Sequence, residues 1–211
     1  MVVPFVRPLV YAEATHPVDL FHGFHVRVRR FVRVAARLTN AVALPAPEIR
    51  EMAHAAERSF WIGVPLHAED EDRSMTPRLR LSSSGPEVLD AIDRIAEEHP
   101  AVDRVSEDLA HVLRLVADAP RLLRSLRGEL SDRVREAETL LLDHLALEER
   151  VIFPALRTAL ADAENATLLA ECRSRGGGMS MLVDPAPARP HSAPRRAALR
   201  WETVRSLRSV D

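Results

Sequence analysis

The sequence predicts an all-α protein: an antiparallel, up-down four-helix bundle with a short extra helix and a C-terminal tail. Three observations predict it. Apolar residues recur at helical spacing over four long stretches, and clusters of Pro, Gly and Ser separate those stretches. The chain of 211 residues holds only 7 Gly and 4% aromatics, in a background of Ala, Leu, Arg and Glu that favours helix. No alternating apolar and polar pattern of useful strand length stands out. Short connections between long helices make consecutive helices antiparallel neighbours.

Residues 1–16 read as a lead-in. From Pro17 to about Leu44 one stripe holds Leu20, Phe21, Phe24, Val28, Phe31, Val32, Ala35 and Leu38, with Arg27, Arg29, Arg30 and Arg33 beside it. Pro45 and Pro47 punctuate, and a second helix runs from about Pro47 to Arg78, with an interruption expected near Pro65. Ser82–Ser84, Gly85 and Pro86 form the middle break. A third helix spans about Pro86 to Ala119. Pro100 inside it predicts a kink, or a new first turn after His99. Pro120 opens a fourth helix that reaches about Asp162, with Gly128 and Ser131 as a potential local break. The bundle thus occupies 17–162 and a short helix follows within 163–176, closed by Gly176–Gly178. Residues 177–211 are a Pro- and Arg-rich tail, read as solvated or loosely docked.

Composition excludes several functions. The formal net charge is −2, so no global field draws the chain to nucleic acid or anionic lipid. All 29 basic residues are Arg. A lysine Schiff base and a Walker-type phosphate loop are therefore excluded. The single Cys172 excludes an internal disulfide framework and a Cys-rich zinc cluster. No apolar run reaches the length of a membrane span. The N-terminal stretch is broken by Pro4, Arg7 and Pro8, unlike a cleaved signal peptide. The expectation is a soluble, cytoplasmic protein.

The chemistry lies in a repeat. HAEDEDRSMTPRL, from His67 to Leu79, aligns without gaps with HLALEERVIFPAL, from His144 to Leu156. Both begin with His, carry Glu four residues later, Pro ten later and Leu twelve later. These matched positions argue for two related helical hairpins. Residues i and i+4 project from nearly one face of a helix. His67 with Glu71, and His144 with Glu148, therefore each offer an imidazole and a carboxylate to one point. One such motif would read as an exposed i,i+4 contact; a matched pair on facing helices reads as a metal site inside a bundle. The donors suit iron, manganese or zinc.

Helices one and three supply further candidates, His25 and His99, at similar separations ahead of His67 and His144. His25 sits within the apolar stripe, whereas His22 lies toward the polar edge. His54 is rotated roughly 140° from His67 on an ideal helix and His111 roughly 120° from His99, which assigns both to the surface or an edge. His16 precedes the first helix and His191 lies in the tail.

This order (His25, then His67 with Glu71, then His99, then His144 with Glu148) resembles the hemerythrin-like, HHE cation-binding family over about Pro17 to Asp162. The second copy, HLALEERVIFP, is very similar to the family signature; the first departs from it after Glu71. The resemblance implies a four-helix bundle holding two non-haem irons, oxo- or hydroxo-bridged, with Glu71 and Glu148 bridging and the four His as terminal ligands. One position differs from the oxygen carriers of the family: Asp103, four after His99, stands where they have a second His. Asp103 could ligate, order a bound water or face solvent; with four His and two Glu alone, one iron would be less saturated, leaving room for an exchangeable ligand. The implied function is binding or sensing of dioxygen or a related small ligand. The alternatives are a di-iron enzyme acting on iron, peroxide or nitric oxide, and a bundle that metal merely staples. The expected partner is a small diatomic molecule, with no nucleic acid or membrane and the protein partner unknown.

Overall fold

The computed structural model describes residues 14–82 and 85–176. Most of the expected lead-in, Gly177, Gly178 and the tail lie outside them. Among the described residues there are five long helical segments and no strand.

Helix α1 is Pro17–Leu38. Pro17 fits its first turn, where the missing N–H costs nothing, and Nδ1 of His16 caps the end by accepting a hydrogen bond from Val18 N at 3.1 Å. The helix stops six residues short of Leu44. Thr39 Oγ1 donates to Ala36 O at 2.7 Å, and Ala41 and Leu44 close tight turns through Leu38 O and Ala41 O. Short polar side chains that bond the local backbone compete in this way with helix continuation.

Helix α2 is one rod built from Ala46–Arg58, Val64–Asp70 and Thr76–Leu81, joined by π turns at Ser59–Gly63 and Glu71–Met75. Helix α3, Pro86–Asp118, follows. After a 3-10 turn at Pro120–Leu122 comes α4, made of Leu123–Leu147, a π turn at Glu148–Ile152, and Phe153–Ala159. Helix α5 is Asp162–Gly176.

The π turns explain why Pro65 does not interrupt α2. Pro65, Pro77 and Pro154 each follow a π turn by two residues. The residue before each Pro donates its N–H to the carbonyl five back: Val64 to Ser59, Thr76 to Glu71, Phe153 to Glu148. Proline has no N–H and crowds the carbonyl four residues earlier. One extra residue in the turn absorbs that conflict, and the rod continues. Pro100 is handled differently. Helix α3 runs through it with no new N-terminus, because Pro100 and Ala96, four residues back, are both exposed and water can serve the carbonyl that loses its partner. Gly128 and Ser131 do not break α4 either.

Helix α1 packs on α2 and α4, and α3 packs on α2 and α4, closing a ring; α5 lies against α1 and α2. The interior divides into two apolar clusters. One holds Phe24, Val28 and Val32 of α1 with Val64, Val102, Leu141 and Leu145. The other holds Leu20 and Phe21 of α1 with Met75, Ile92, Ile95, Ile152 and Leu168. His25, His67, Glu71, His99, His144 and Glu148 are buried and fall at, or within a turn of, the point where each helix passes from one cluster to the other. A polar layer thus sits between two dry halves.

Candidate metal centre

The four helices of the ring each deliver donors to this layer. All four imidazoles turn Nε2 inward. Nε2 of His25 lies 3.2 Å from Nε2 of His67 and 3.0 Å from Glu148 Oε2. His67 Nε2 is 3.1 Å from Glu71 Oε1 and 3.7 Å from Glu148 Oε2. On the other side, His99 Nε2 lies 3.1 Å from Glu71 Oε2 and His144 Nε2 lies 2.8 Å from Glu148 Oε1. Each carboxylate therefore gives one oxygen to each side of the layer. Glu71 and Glu148 each start a π turn, so the widened turn lies at the residue that joins the two sides.

The structure brings together all six residues that the spacing singled out. Their donor atoms form two groups, each within 4.8 Å: His25, His67, Glu71 and Glu148 in one, Glu71, His99 and His144 in the other. Asp103 is half-buried and belongs to neither. His22 and His111 are exposed and His54 is half-buried. His191 lies outside the described residues.

The donor set fits a cation. Glu71 Oε1 and both oxygens of Glu148 are buried and have no hydrogen-bond partner, although imidazole nitrogens stand within about 3 Å of each. Buried carboxylate oxygens left so are costly. These oxygens and the four Nε2 atoms crowd into two groups, each compact enough to surround one cation, as the donors of a metal do.

Electrostatics agree. Burial alone would lower the pKa of His67 and His99, but the carboxylates overcome it. His67 rises to about 9 beside Glu71 and Glu148, and His99 to about 10 beside Asp72 and Glu71. Burial raises Glu148, yet His144, His25 and His67 together hold it well below the usual carboxylate range. In the metal-free layer, protons on His67 and His99 stand in for cationic charge.

Sequence reasoning missed an outer ring of carboxylates. Nδ1 of His25 donates to Glu149 Oε1 at 2.9 Å, and Arg29 grips both oxygens of Glu149 at 2.6 and 3.0 Å. Nδ1 of His144 donates to Glu98 Oε2 at 2.9 Å, while Arg94 Nε donates to Glu98 Oε1 at 2.8 Å. His99 Nδ1 stands 3.0 Å from Asp72 Oδ1. A proton fixed on Nδ1 leaves the Nε2 lone pair facing the layer. The signal was present: an acidic residue follows each H-x-x-x-E, as Asp72 and Glu149, and Glu98 precedes His99. The link is crossed. Glu149 on α4 orients His25 of the first hairpin, and Asp72 on α2 faces His99 of the second.

A cavity of ≈ 10 Å³ adjoins the layer. His67, Glu71, His99 and His144 line it together with apolar residues that include Phe24, Val28, Val64, Val102, Leu141 and Leu145. That is about the room one water-sized molecule needs.

Fold and site together define a helical bundle with a buried His and Glu cluster compatible with metal binding. The family model of the hemerythrin HHE cation-binding domain matches residues 16–156, and the chain belongs to that family. Comparison with curated proteins and with solved structures gives no match. No helix among the described residues is long and apolar enough to cross a membrane.

Proposed function

We propose that this chain is a non-haem di-iron protein of hemerythrin type that binds or senses dioxygen or a related small ligand. The observation that carries the reading is the division of each carboxylate: Glu71 presents Oε1 to His67 and Oε2 to His99, and Glu148 presents Oε2 to His25 and Oε1 to His144. Two carboxylates so placed suit two metals, with His25 and His67 completing one and His99 and His144 the other. Iron suits the donors, and manganese or zinc would also accept them. The proposal includes the antiparallel up-down topology. Its support is that successive helices meet the two apolar clusters in alternating order, from Leu20 to Val28 along α1 and from Val64 to Leu79 along α2.

When bound, the iron pair would supply a redox-active centre with an exchangeable position. The protein's own part is to shape that position. The water-sized cavity beside His67, Glu71, His99 and His144 would be the start of that position, and its largely apolar wall favours a small apolar ligand over a solute that needs hydrogen bonds. Outer carboxylates hold the imidazoles in orientation, and the two dry clusters exclude bulk water. A cytoplasmic location, and the absence of nucleic-acid and membrane partners, belong to the same proposal.

The test is anaerobic ferrous loading followed by elemental analysis and absorption spectra before and after exposure to air. Two irons per chain and a reversible, oxygen-dependent band are expected. Iron near zero with the fold intact overturns the reading. Sustained turnover of peroxide or nitric oxide by the loaded protein would make it an enzyme instead.

A further inference from the structure

Among the differences between the two copies of the repeat, three lie four residues apart. Where the second copy has Leu147, Val151 and Ala155, the first has Asp70, Ser74 and Arg78. Asp70 and Ser74 are fully buried, at 1% and 0% exposure, so their polarity needs partners. Helix α5 provides them from Glu171 and Arg175, themselves four apart. Arg175 Nε donates to Asp70 Oδ1 at 2.6 Å, and its Nη2 donates to Ser74 Oγ. Ser74 Oγ donates to Glu171 Oε2 at 2.6 Å. Arg78 donates to both oxygens of Glu171 at 3.0 and 2.7 Å and to Ser74 O at 2.8 Å. Around this seam Leu168, Leu169 and Cys172 share an apolar cluster with Met75 and Leu79.

Asp70 immediately precedes Glu71, and Ser74 lies inside the π turn that Glu71 begins. A π turn has weaker backbone bonding than the α-helix around it and needs outside support to hold one geometry. The second turn, Glu148–Ile152, has apolar Leu147, Ile152 and Phe153 buried around it. The first is gripped by a polar zipper from α5, a helix beyond the 16–156 range that the family model matches. We propose that Arg175 is a positioning residue: through Asp70 and Ser74 it holds the turn that presents Glu71, which makes α5 part of the metal-binding module. The effect on metal rests on the di-iron reading; the grip on the turn does not.

Three full-length variants test this: Arg175→Ala; Ser74→Val, which installs the second copy's residue type and leaves Asp70 paired; and Arg114→Ala as a control. Arg114 of α3 clamps another buried carboxylate of α2, donating to Glu57 Oε1 at 3.1 and 2.7 Å, and Glu57 lies well before Glu71 along that rod. Hydrogen exchange of the metal-free proteins should rise about tenfold or more over residues 71–76 in Arg175→Ala and stay unchanged over 148–153. Ser74→Val should show the same contrast more weakly, and it carries the test if Arg175→Ala does not fold. Arg114→Ala should lower the melting temperature without that contrast. Ferrous affinity should fall roughly tenfold or more in Arg175→Ala and hold in Arg114→Ala. Equal exchange in both π turns overturns the proposal. So does a selective loss of protection with metal affinity unchanged, since the seam would then be purely structural. If the parent protein binds no metal, the di-iron reading falls, and the exchange contrast still decides whether α5 grips the turn.

Discussion

Glu149 Oε1 accepts a hydrogen bond from His25 Nδ1 at 2.9 Å, across the interface between α4 and α1, while Arg29 pins the same carboxylate from α1. The arrangement ties the orientation of one imidazole to the residue directly after Glu148. Burial raises the pKa of Glu149, but Arg29 and His25 hold it below the ordinary glutamate value, so it stays an acceptor at neutral pH.

Replacing that acceptor should weaken metal binding without removing a donor of the layer. Glu149→Ala and Glu98→Ala each leave an imidazole free to rotate or change tautomer. Loss of such an outer partner costs about 10- to 100-fold in metal affinity. Chelator competition on the folded variants checks this. Glu148→Ala should lose at least as much, and Asp103→Ala far less. Affinities equal to the parent's in both Glu149→Ala and Glu98→Ala would show that the ring orients nothing that matters.

Metal affinity should depend on pH well above the usual histidine range. His67 and His99 hold protons up to about 9 and about 10 in the metal-free protein. Raised values mean that the folded state binds protons more tightly than the unfolded chain. Their stabilisation is therefore full below the unfolded value near 6.5 and lost as pH rises through about 9 to 10. A metal takes the deprotonated Nε2 and must displace those protons. Zinc affinity, free of redox complications, should thus climb by about one to two log units per pH unit between pH 7 and 8.5. An affinity that levels off above pH 6.5 would contradict the raised values.

Gly128 offers a prediction that leaves the site alone. It lies on the exposed side of α4 within the continuous stretch Leu123–Leu147, and a Cβ added there would meet nothing within 4 Å. Glycine in a helix interior costs roughly 0.5–1 kcal/mol relative to alanine. Gly128→Ala should raise stability by about that amount in chemical denaturation and leave metal content unchanged. A loss of stability would mean the glycine serves a contact that the monomer does not contain.

The six-residue layer was legible because helical spacing leaves a direct trace. His25 interrupts an apolar stripe, and H-x-x-x-E occurs twice with Pro and Leu in register. What the spacing hid has physical reasons. Pro65 reads as a break, yet a π turn absorbs a proline at a small backbone cost, and nothing in single-residue preference separates the two outcomes. Glu149, Glu98 and Asp72 look like surface charge, because a carboxylate that reaches inward to Nδ1 while staying partly exposed has the pattern of a solvated face. The end of α1 at Leu38 was set by Thr39 and its bond to Ala36, although apolar residues continue through Ala41, Val42, Ala43 and Leu44. The polar zipper of α5 showed in the sequence only as apparent decay of the first repeat.

Metal-dependent stability joins the layer, the fold and the boundary of the module. Six buried imidazoles and carboxylates meet at mid-bundle, and Glu71 Oε1 and both oxygens of Glu148 have no hydrogen-bond partner there. Such groups cost free energy unless they are paired. A metal that binds only the folded state adds stability by mass action, about 3–4 kcal/mol at a hundred to a thousand times its dissociation constant. For a chain of this size that shifts the melting temperature by something on the order of ten degrees. All six residues of the layer lie between His25 and Glu148, so a chain ended after Gly176 should keep most of the gain. Ending it after Leu160 removes Leu168, Leu169 and Cys172 from the core and Arg175 from Asp70, and the gain should shrink along with the metal-free stability. Melting of the three lengths, each with and without iron, reads all of this. Curves that iron leaves unmoved at every length would mean that the six residues do not converge on a metal. A response confined to the full-length chain would place part of the site, or its cover, in residues 177–211.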